Sequence, residues 1–179
     1  MITAVVCAAF DARTDTAILA TREVVRAAGI ALPDQPPHRP HFSLAAARVE
    51  RDQLARILDI THTVAAQHGR LRVRLANVGR FGRAGAVWLG PAPSPQLQLL
   101  QHDVDAALQA AGWPRAFGER SDPRRWVAHC TLATRIPKPH LRRVQAAVQA
   151  QYRPIDAGID ALATILVGGR GDVGYTPLG

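Results

Sequence analysis

Hydrophobic residues recur along the chain with two periods, and the change from one period to the other delimits the secondary structure. Segments in which apolar and polar residues alternate, or short runs that are wholly apolar, predict strands. Longer segments with an apolar residue every three or four positions predict helices, which Asp, Thr, Gly and Pro residues delimit. The predicted strands comprise residues 3–10, 41–49, 71–78, 86–90, 125–135, 160–167 and 173–178. The predicted helices comprise residues 11–29, 50–68, 95–111 and 139–152.

The order of these elements repeats within the chain. After the first strand, each half reads helix, strand, helix, strand, strand, and the proline-rich segment Pro91–Pro95 joins the two halves. This order favours an α+β fold with antiparallel sheets over a doubly wound parallel fold. We therefore predict a single domain over residues 1–179 with two pseudo-symmetric lobes. Its first half covers about residues 1–92 and its second half about residues 93–179.

One short motif occurs at the equivalent place in both halves. It reads His41-Phe42-Ser43-Leu44 in the first half and His129-Cys130-Thr131-Leu132 in the second. Because side chains alternate across a strand, the imidazole and the hydroxyl of each motif share one face, and the two apolar residues point into the core. Two such strands facing each other across a cleft would place two imidazoles and two hydroxyls around one anion.

Two imidazoles and two hydroxyls suit the cleavage of a phosphodiester. A neutral imidazole can take a proton from the attacking water, and an imidazolium can protonate the departing oxygen. An ordinary pKa of about 6.5 lets histidine fill both roles near neutrality. The hydroxyls of Ser43 and Thr131 can donate hydrogen bonds to the non-bridging phosphate oxygens. We predict His41 and His129 as a catalytic pair that needs no metal or other cofactor, since the acidic residues do not cluster as a two-metal site requires.

The two motifs resemble the signature of the 2H phosphoesterase superfamily, specifically the bacterial 2′-5′ RNA ligase/RNA 2′,3′-cyclic phosphodiesterase family. The flanks are similar as well, with Arg39-Pro40 before the first motif and Trp126-Val127-Ala128 before the second. The resemblance implies a bilobal fold, each lobe having an antiparallel sheet flanked by helices, with the active site in the central cleft. It implies the opening of a 2′,3′-cyclic phosphate to a 2′-phosphomonoester without a cofactor. By carry-over, His41 is the acid toward the leaving O3′, and His129 is the base toward water.

The resemblance also implies the substrates, which are RNA 2′,3′-cyclic phosphate ends or small cyclic nucleotides, and some members show weak 2′-5′ RNA ligation. Many members carry Arg three residues after the Thr of the second motif, where this chain has Thr134. Arg135 would share a strand face with His129 and Thr131, within reach of the phosphate. Aromatic residues on or beside predicted strands are further candidate substrate contacts that could stack on a base, with core packing as the competing interpretation. They are Phe10, Phe81, Trp88 and Tyr175.

Composition adds an expectation about partners and location. The net charge of +8 comes almost wholly from arginine, since Lys138 is the only lysine. Guanidinium groups suit phosphate recognition and RNA, although a GC-rich codon bias gives the same composition. No apolar run approaches the ~18 residues that cross a bilayer, and the apolar start lacks a basic region. We expect a cytoplasmic monomer that does not bind membranes and keeps Cys7 and Cys130 as reduced, buried thiols.

Other functions fit the same residues. A 2′-5′ oligonucleotide phosphodiesterase or RNA-end exonuclease would use the same two histidines and shorten its substrate, whereas opening of a cyclic phosphate leaves chain length unchanged. A non-catalytic nucleotide- or RNA-binding module would keep the cleft without turnover. A zinc-dependent hydrolase ranks last and would lose activity in excess chelator.

Overall fold

The computed structural model describes residues 1–117 and 122–179, and within them the chain forms seven strands and four α-helices. The strands are β1 (Ile2–Phe10), β2 (His41–Val49), β3 (Leu71–Phe81), β4 (Ala86–Pro91), β5 (Cys130–Ala133), β6 (Ile155–Leu166) and β7 (Gly174–Pro177). The helices are α1 (Ala12–Ala27), α2 (Leu54–Ala65), α3 (Pro95–Ala110) and α4 (Lys138–Gln151).

The helix ends follow the local chemistry of the sequence. Asp11 caps α1, because its carboxylate accepts a hydrogen bond of 2.7 Å from the main-chain nitrogen of Thr14. Gly29, with φ +86°, follows the end of this helix in the left-handed conformation that glycine favours. Helix α2 is shorter than predicted: its expected first turn is a 3-10 helix over Arg51–Gln53, and it ends at Ala65 rather than His68.

All seven strands belong to one antiparallel sheet, which confirms the predicted α+β class. The strand order is β2-β1-β6-β3-β4-β5, and β7 pairs with β6 beside this path. Strand β6 is central because its first residues pair with β3 and its later residues with β1 and β7. The predicted strand began only at residue 160, because Asp156 and Gly158 interrupt the apolar pattern. Asp156 lies exposed on this strand and accepts a hydrogen bond of 3.0 Å from Arg74.

Elements from both halves of the chain lie toward each of the two edges of the sheet. Strand β4 of the first half pairs with β5 of the second half, β3 pairs with β4 and β6, and α1 packs against β5 and α4. On the other side, β6 and β7 of the second half continue the sheet from β1, and α3 packs against β2. The helix that opens each half therefore supports the motif of the other half.

Strand β1 is buried on both faces, and its two faces differ in side-chain size. One face carries Phe10 into the main core, together with Phe42 of β2. The opposite face carries Cys7 and Ala9, which lie directly across from Ser43 and His41 in the antiparallel register. Residues paired in this way share a face of the sheet, so the side chains next to His41 and Ser43 on β1 are small.

Both cysteines are free and buried, as predicted for Cys7 and Cys130. Within residues 1–117 and 122–179, no helix has the length and apolar character needed to cross a membrane.

Candidate active site

His41 stands at the first position of β2 and is held by the main chain just before it. Its Nδ1 lies 2.7 Å from the carbonyl oxygen of Arg39. Because a carbonyl oxygen only accepts, Nδ1 carries the proton in this bond and Nε2 is left for another partner. Pro40 restricts Arg39 to an extended conformation, which fixes the direction of that carbonyl.

His129 repeats this arrangement immediately before β5. Its Nδ1 lies 2.7 Å from the carbonyl oxygen of Val127, again two residues earlier. The alternation predicted for the motif is present here, since Cys130 and Leu132 are buried while Thr131 is exposed. The same holds in the first motif, where Phe42 and Leu44 are buried and His41 and Ser43 are half-buried. Both histidines therefore present Nε2 away from the main chain that tethers Nδ1.

The side chain of Arg39 is itself anchored from three directions. Its Nε and Nη2 donate to the Asp15 carboxylate at 3.1 and 2.7 Å, and Nη2 also donates to the carbonyl oxygen of Phe10. The guanidinium carbon lies 5.2 Å from the centroid of the Tyr175 ring. Burial raises the pKa of the Asp15 carboxyl to about 6, against the opposing effect of Arg39. The residue whose carbonyl orients His41 is thus fixed to α1, β1 and β7.

The second motif is tied to the first by a tryptophan. The indole nitrogen of Trp126 donates a hydrogen bond of 2.9 Å to the main-chain oxygen of Ser43. This bond joins the segment before β5 to the opposite edge strand, β2. The sequence identifies Trp126 only as a flank of the second motif, since nothing in its position along the chain indicates a bond to a residue 83 positions away.

Two cavities adjoin the motifs, and each combines parts of both. His41 and Thr131 line a cavity of about 630 Å³. Ser43 and His129 line another of about 1160 Å³. The four predicted side chains are therefore not gathered in one cavity. Each cavity has the imidazole of one motif and the hydroxyl of the other.

Burial lowers the pKa of both imidazoles below its ordinary value. For His41, desolvation is the largest cause, and the neighbouring His38 and His129 act in the same direction. Its bond to the Arg39 carbonyl and the charge of Asp172 oppose this effect. For His129, desolvation likewise lowers the pKa by more than the bond to the Val127 carbonyl raises it. Both rings therefore favour the neutral form, in which Nε2 can accept a proton.

His129 is flanked by two aromatic rings. The Phe81 ring lies edge-on to the imidazole with centroids 4.8 Å apart, and the Trp88 ring lies 6.2 Å from it. Phe81 also lines the larger cavity, which leaves it available to a ligand. Trp88 lies over Gly79 and Gly90, where an added Cβ would overlap its ring.

We expect Gly79→Ala to lower the free energy of unfolding by about 1–3 kcal/mol, the usual cost of forcing an extra methyl group into a packed site. The new Cβ would displace the Trp88 ring and, through it, the ring of His129. Gly82→Ala in the same hairpin is the matched control, because nothing lies within 4 Å of the Cβ it adds. Urea denaturation measures both variants, and equal stabilities would contradict the packing of Trp88 on Gly79.

Two of the predicted substrate contacts, Phe10 and Arg135, are placed differently by the structure. Phe10 is fully buried with its ring 4.9 Å from that of Phe42, so it is a core residue and not a stacking surface. Tyr175 is exposed, but its ring faces Arg39 and its hydroxyl bonds Asp160. Arg135 shares no strand face with His129, since β5 ends at Ala133 and Arg135 has φ +59°.

Strand β5 is shorter than the predicted 125–135 because its pairing is limited at both ends. Its first pair with β4 is Cys130 with Leu89, since Trp126 directs the preceding segment toward β2. Arg135 still lines the smaller cavity from its exposed position. Within residues 1–117 and 122–179, no three His, Cys, Asp or Glu side chains form a group that could hold a metal ion.

Comparisons with known proteins agree with this architecture. The model of the 2′-5′ RNA ligase superfamily matches residues 17–170. The crystal structure of TT0787 of Thermus thermophilus superposes with a TM-score of 0.67 at 17% identity, covering 99% of this chain and 98% of that one. Escherichia coli LigT complexed with 3′-AMP gives a TM-score of 0.59 at 16% identity, covering 99% and 95%. At these identities the likeness shows the fold. No curated protein matches the chain significantly in sequence.

Proposed function

Because this chain belongs to the 2′-5′ RNA ligase superfamily, we propose that it is a metal-independent phosphodiesterase that opens 2′,3′-cyclic phosphates of RNA ends or small nucleotides. The observation that carries the proposal is the equivalent tethering of His41 and His129. Each imidazole donates its Nδ1 proton to the carbonyl oxygen of the residue two positions earlier, and the Nδ1–O distance is 2.7 Å in both cases. Two imidazoles whose Nε2 atoms make no hydrogen bond to the described part of the chain, one on each cavity, suit an in-line displacement at phosphorus.

The reaction then proceeds by one proton transfer at each imidazole. Neutral His129 accepts a proton from water at Nε2 while the water oxygen forms a bond to phosphorus. The bond from phosphorus to O3′ breaks, and His41 in its imidazolium form donates its Nε2 proton to O3′. The product is a 2′-phosphomonoester with a free 3′-hydroxyl. The lowered pKa of His41 makes it a stronger acid, and that of His129 keeps it neutral as a base.

The two hydroxyls complete the phosphate site in this proposal. Thr131 lines the cavity of His41, and Ser43 lines that of His129. Negative charge builds on the non-bridging oxygens as the phosphorus becomes five-coordinate. Hydroxyl donors held on a rigid sheet stabilise this charge without reorganising.

The ligand class draws support from charge and from the relatives. A net charge of +8, carried by arginine, favours polyanionic substrates. E. coli LigT has been crystallised with 3′-AMP, ATP and NADP+, all of which are nucleotides. We extend nucleotide binding to the cleft of this chain on that basis.

Turnover of a 2′,3′-cyclic mononucleotide in excess EDTA tests the proposal. We expect hydrolysis that EDTA leaves unchanged, because the proposed groups are all side chains. Phosphorus NMR of the product identifies the bond that breaks, and a 2′-phosphate is expected. Loss of activity in EDTA that added zinc restores would contradict metal independence. No turnover of mononucleotides or of RNA with a cyclic end would leave a binding module as the better description.

A second candidate function is cleavage of a linear 2′-5′ diester at an RNA end. The observation that favours it is the presence of a cavity on each side of the histidine pair, which leaves room for a nucleoside on both sides of the phosphorus. Gel analysis of a 2′-5′ linked oligonucleotide distinguishes the two functions. Shortened products indicate a linear diesterase, and unchanged length with an opened end indicates the cyclic phosphodiesterase.

A further inference from the structure

Helix α1 carries a charged residue in the stripe that faces the core. Its buried positions are Thr14, Ile18, Arg22 and Val25, spaced as one helix face. Arg22 is only 8% exposed. Arginine is almost never buried to this degree without a partner of opposite charge. Its presence in this stripe therefore needs a physical explanation.

Among the described residues, the hydrogen bonds of Arg22 account for one nitrogen, and its charge has no ion-pair partner. Its Nε donates a hydrogen bond of 3.0 Å to the main-chain oxygen of Leu132, in the second motif. Glu23 influences this guanidinium only through its charge and forms its ion pair with Arg26. Burial, and next the charge of Arg26, lower the pKa of Arg22 from the ordinary value, and the charge of Glu23 opposes them without reversing the shift. A buried cation without a counterion destabilises the fold unless an anion joins it.

The location of Arg22 indicates which anion that is. Arg22 lines the same cavity as His41 and Thr131, and its Nε bond holds it beside the strand that carries Thr131. The two terminal nitrogens are the remaining donors, in a fork that matches phosphate oxygens.

We infer that Arg22 binds the reacting phosphate of the substrate from within α1. This inference rests on the proposed function and adds to it a cationic contact that the two motifs do not contain. Charge on the phosphate grows toward the transition state, so the contact strengthens as the reaction proceeds. A loss of Arg22 should then lower kcat as well as raise KM.

Arg22→Gln tests this role while keeping the structural bond. The glutamine Nε2 occupies the place of the arginine Nε and can still donate to the Leu132 carbonyl, but the charge and the fork are absent. We expect inorganic phosphate to bind about 10–100-fold more weakly, the loss expected for charge-assisted hydrogen bonds. Isothermal titration with phosphate measures this without reference to turnover. The stabilisation that phosphate gives to the wild-type protein in a thermal scan should also disappear.

Arg26→Gln is the matched control one turn further along α1. Arg26 pairs with Glu23 and Asp34 at 3.7 and 3.5 Å and lines neither cavity, so phosphate affinity should change far less than in Arg22→Gln. Equal phosphate affinities for wild-type protein and Arg22→Gln would overturn the inference, as would the absence of phosphate binding to the wild-type protein. Cyclic phosphate hydrolysis with an unchanged kcat/KM in Arg22→Gln would overturn the role of Arg22 while leaving the proposed function intact. A weakened phosphate site in a chain that turns over no cyclic nucleotide would support Arg22 and count against the function alone.

Discussion

Replacing either motif histidine by alanine is expected to reduce kcat for cyclic phosphate hydrolysis by about 10²–10⁴-fold, the usual contribution of a general acid or base. Each imidazole is proposed to move one proton at Nε2, and no other titratable group shares that position in its motif. The fold should survive, because His41 and His129 are half-buried and their rings contact the cavities rather than the main core. Steady-state kinetics with a 2′,3′-cyclic nucleotide measure the effect, and circular dichroism checks the fold.

The pair should also act as a unit. The double variant should lose little more than the worse single variant, because one remaining proton carrier cannot complete the reaction. The pH profile of kcat/KM for the wild-type protein should be bell-shaped, with one histidine charged and the other neutral. Burial lowers both pKa values, so the optimum should lie below the ordinary histidine value of about 6.5.

His102→Ala is the control for this experiment, since His102 lies exposed on α3. Its kcat should equal that of the wild-type protein. Full activity in His41→Ala or in His129→Ala would remove that residue from the mechanism. A pH profile that rises without a maximum would contradict paired acid–base roles.

The features that the sequence predicts best are those set by local chemistry. The alternation of His41, Phe42, Ser43 and Leu44 determines which side chains reach the cleft, because a strand has only two faces. The cap at Asp11 follows from its position before the helix. The α+β class follows from the order of the elements.

The features that were missed depend on contacts between distant parts of the chain. The bond from Trp126 to Ser43 and that from Arg22 to Leu132 join residues 83 and 110 positions apart, which no local pattern indicates. The only signal for Arg22 was a charge within the apolar stripe of α1. Aromatic character alone did not distinguish Phe10 in the core from Phe81 on a cavity, since both follow strand-like runs.

In the proposed mechanism, the exchange of elements between the halves makes the two motif hydroxyls act together. Each cavity has a hydroxyl from one half and an imidazole from the other, and we propose that a phosphate held by both hydroxyls lies between the two imidazoles. The hydroxyls, rather than the histidines, would then fix the phosphate in line between acid and base.

Removing a motif hydroxyl should therefore lower kcat by about 10²–10³-fold, the scale of losing one oxyanion donor. Thr131→Val tests this, because valine keeps the shape and removes only the donor. Ser43→Ala tests the equivalent position in the other motif. Thr131→Ser is the control, since it keeps the hydroxyl and should retain most of the activity.

Whether each substitution lowers kcat or raises KM then distinguishes the possible roles of these hydroxyls. A donor whose bond strengthens as charge builds on the phosphate affects kcat, whereas one that binds substrate and transition state equally raises KM alone. We expect the loss for Thr131→Val to appear mainly in kcat. An unchanged kcat in both Thr131→Val and Ser43→Ala would show that the hydroxyls do not stabilise the transition state. The anion would then have to be held by arginine and the main chain.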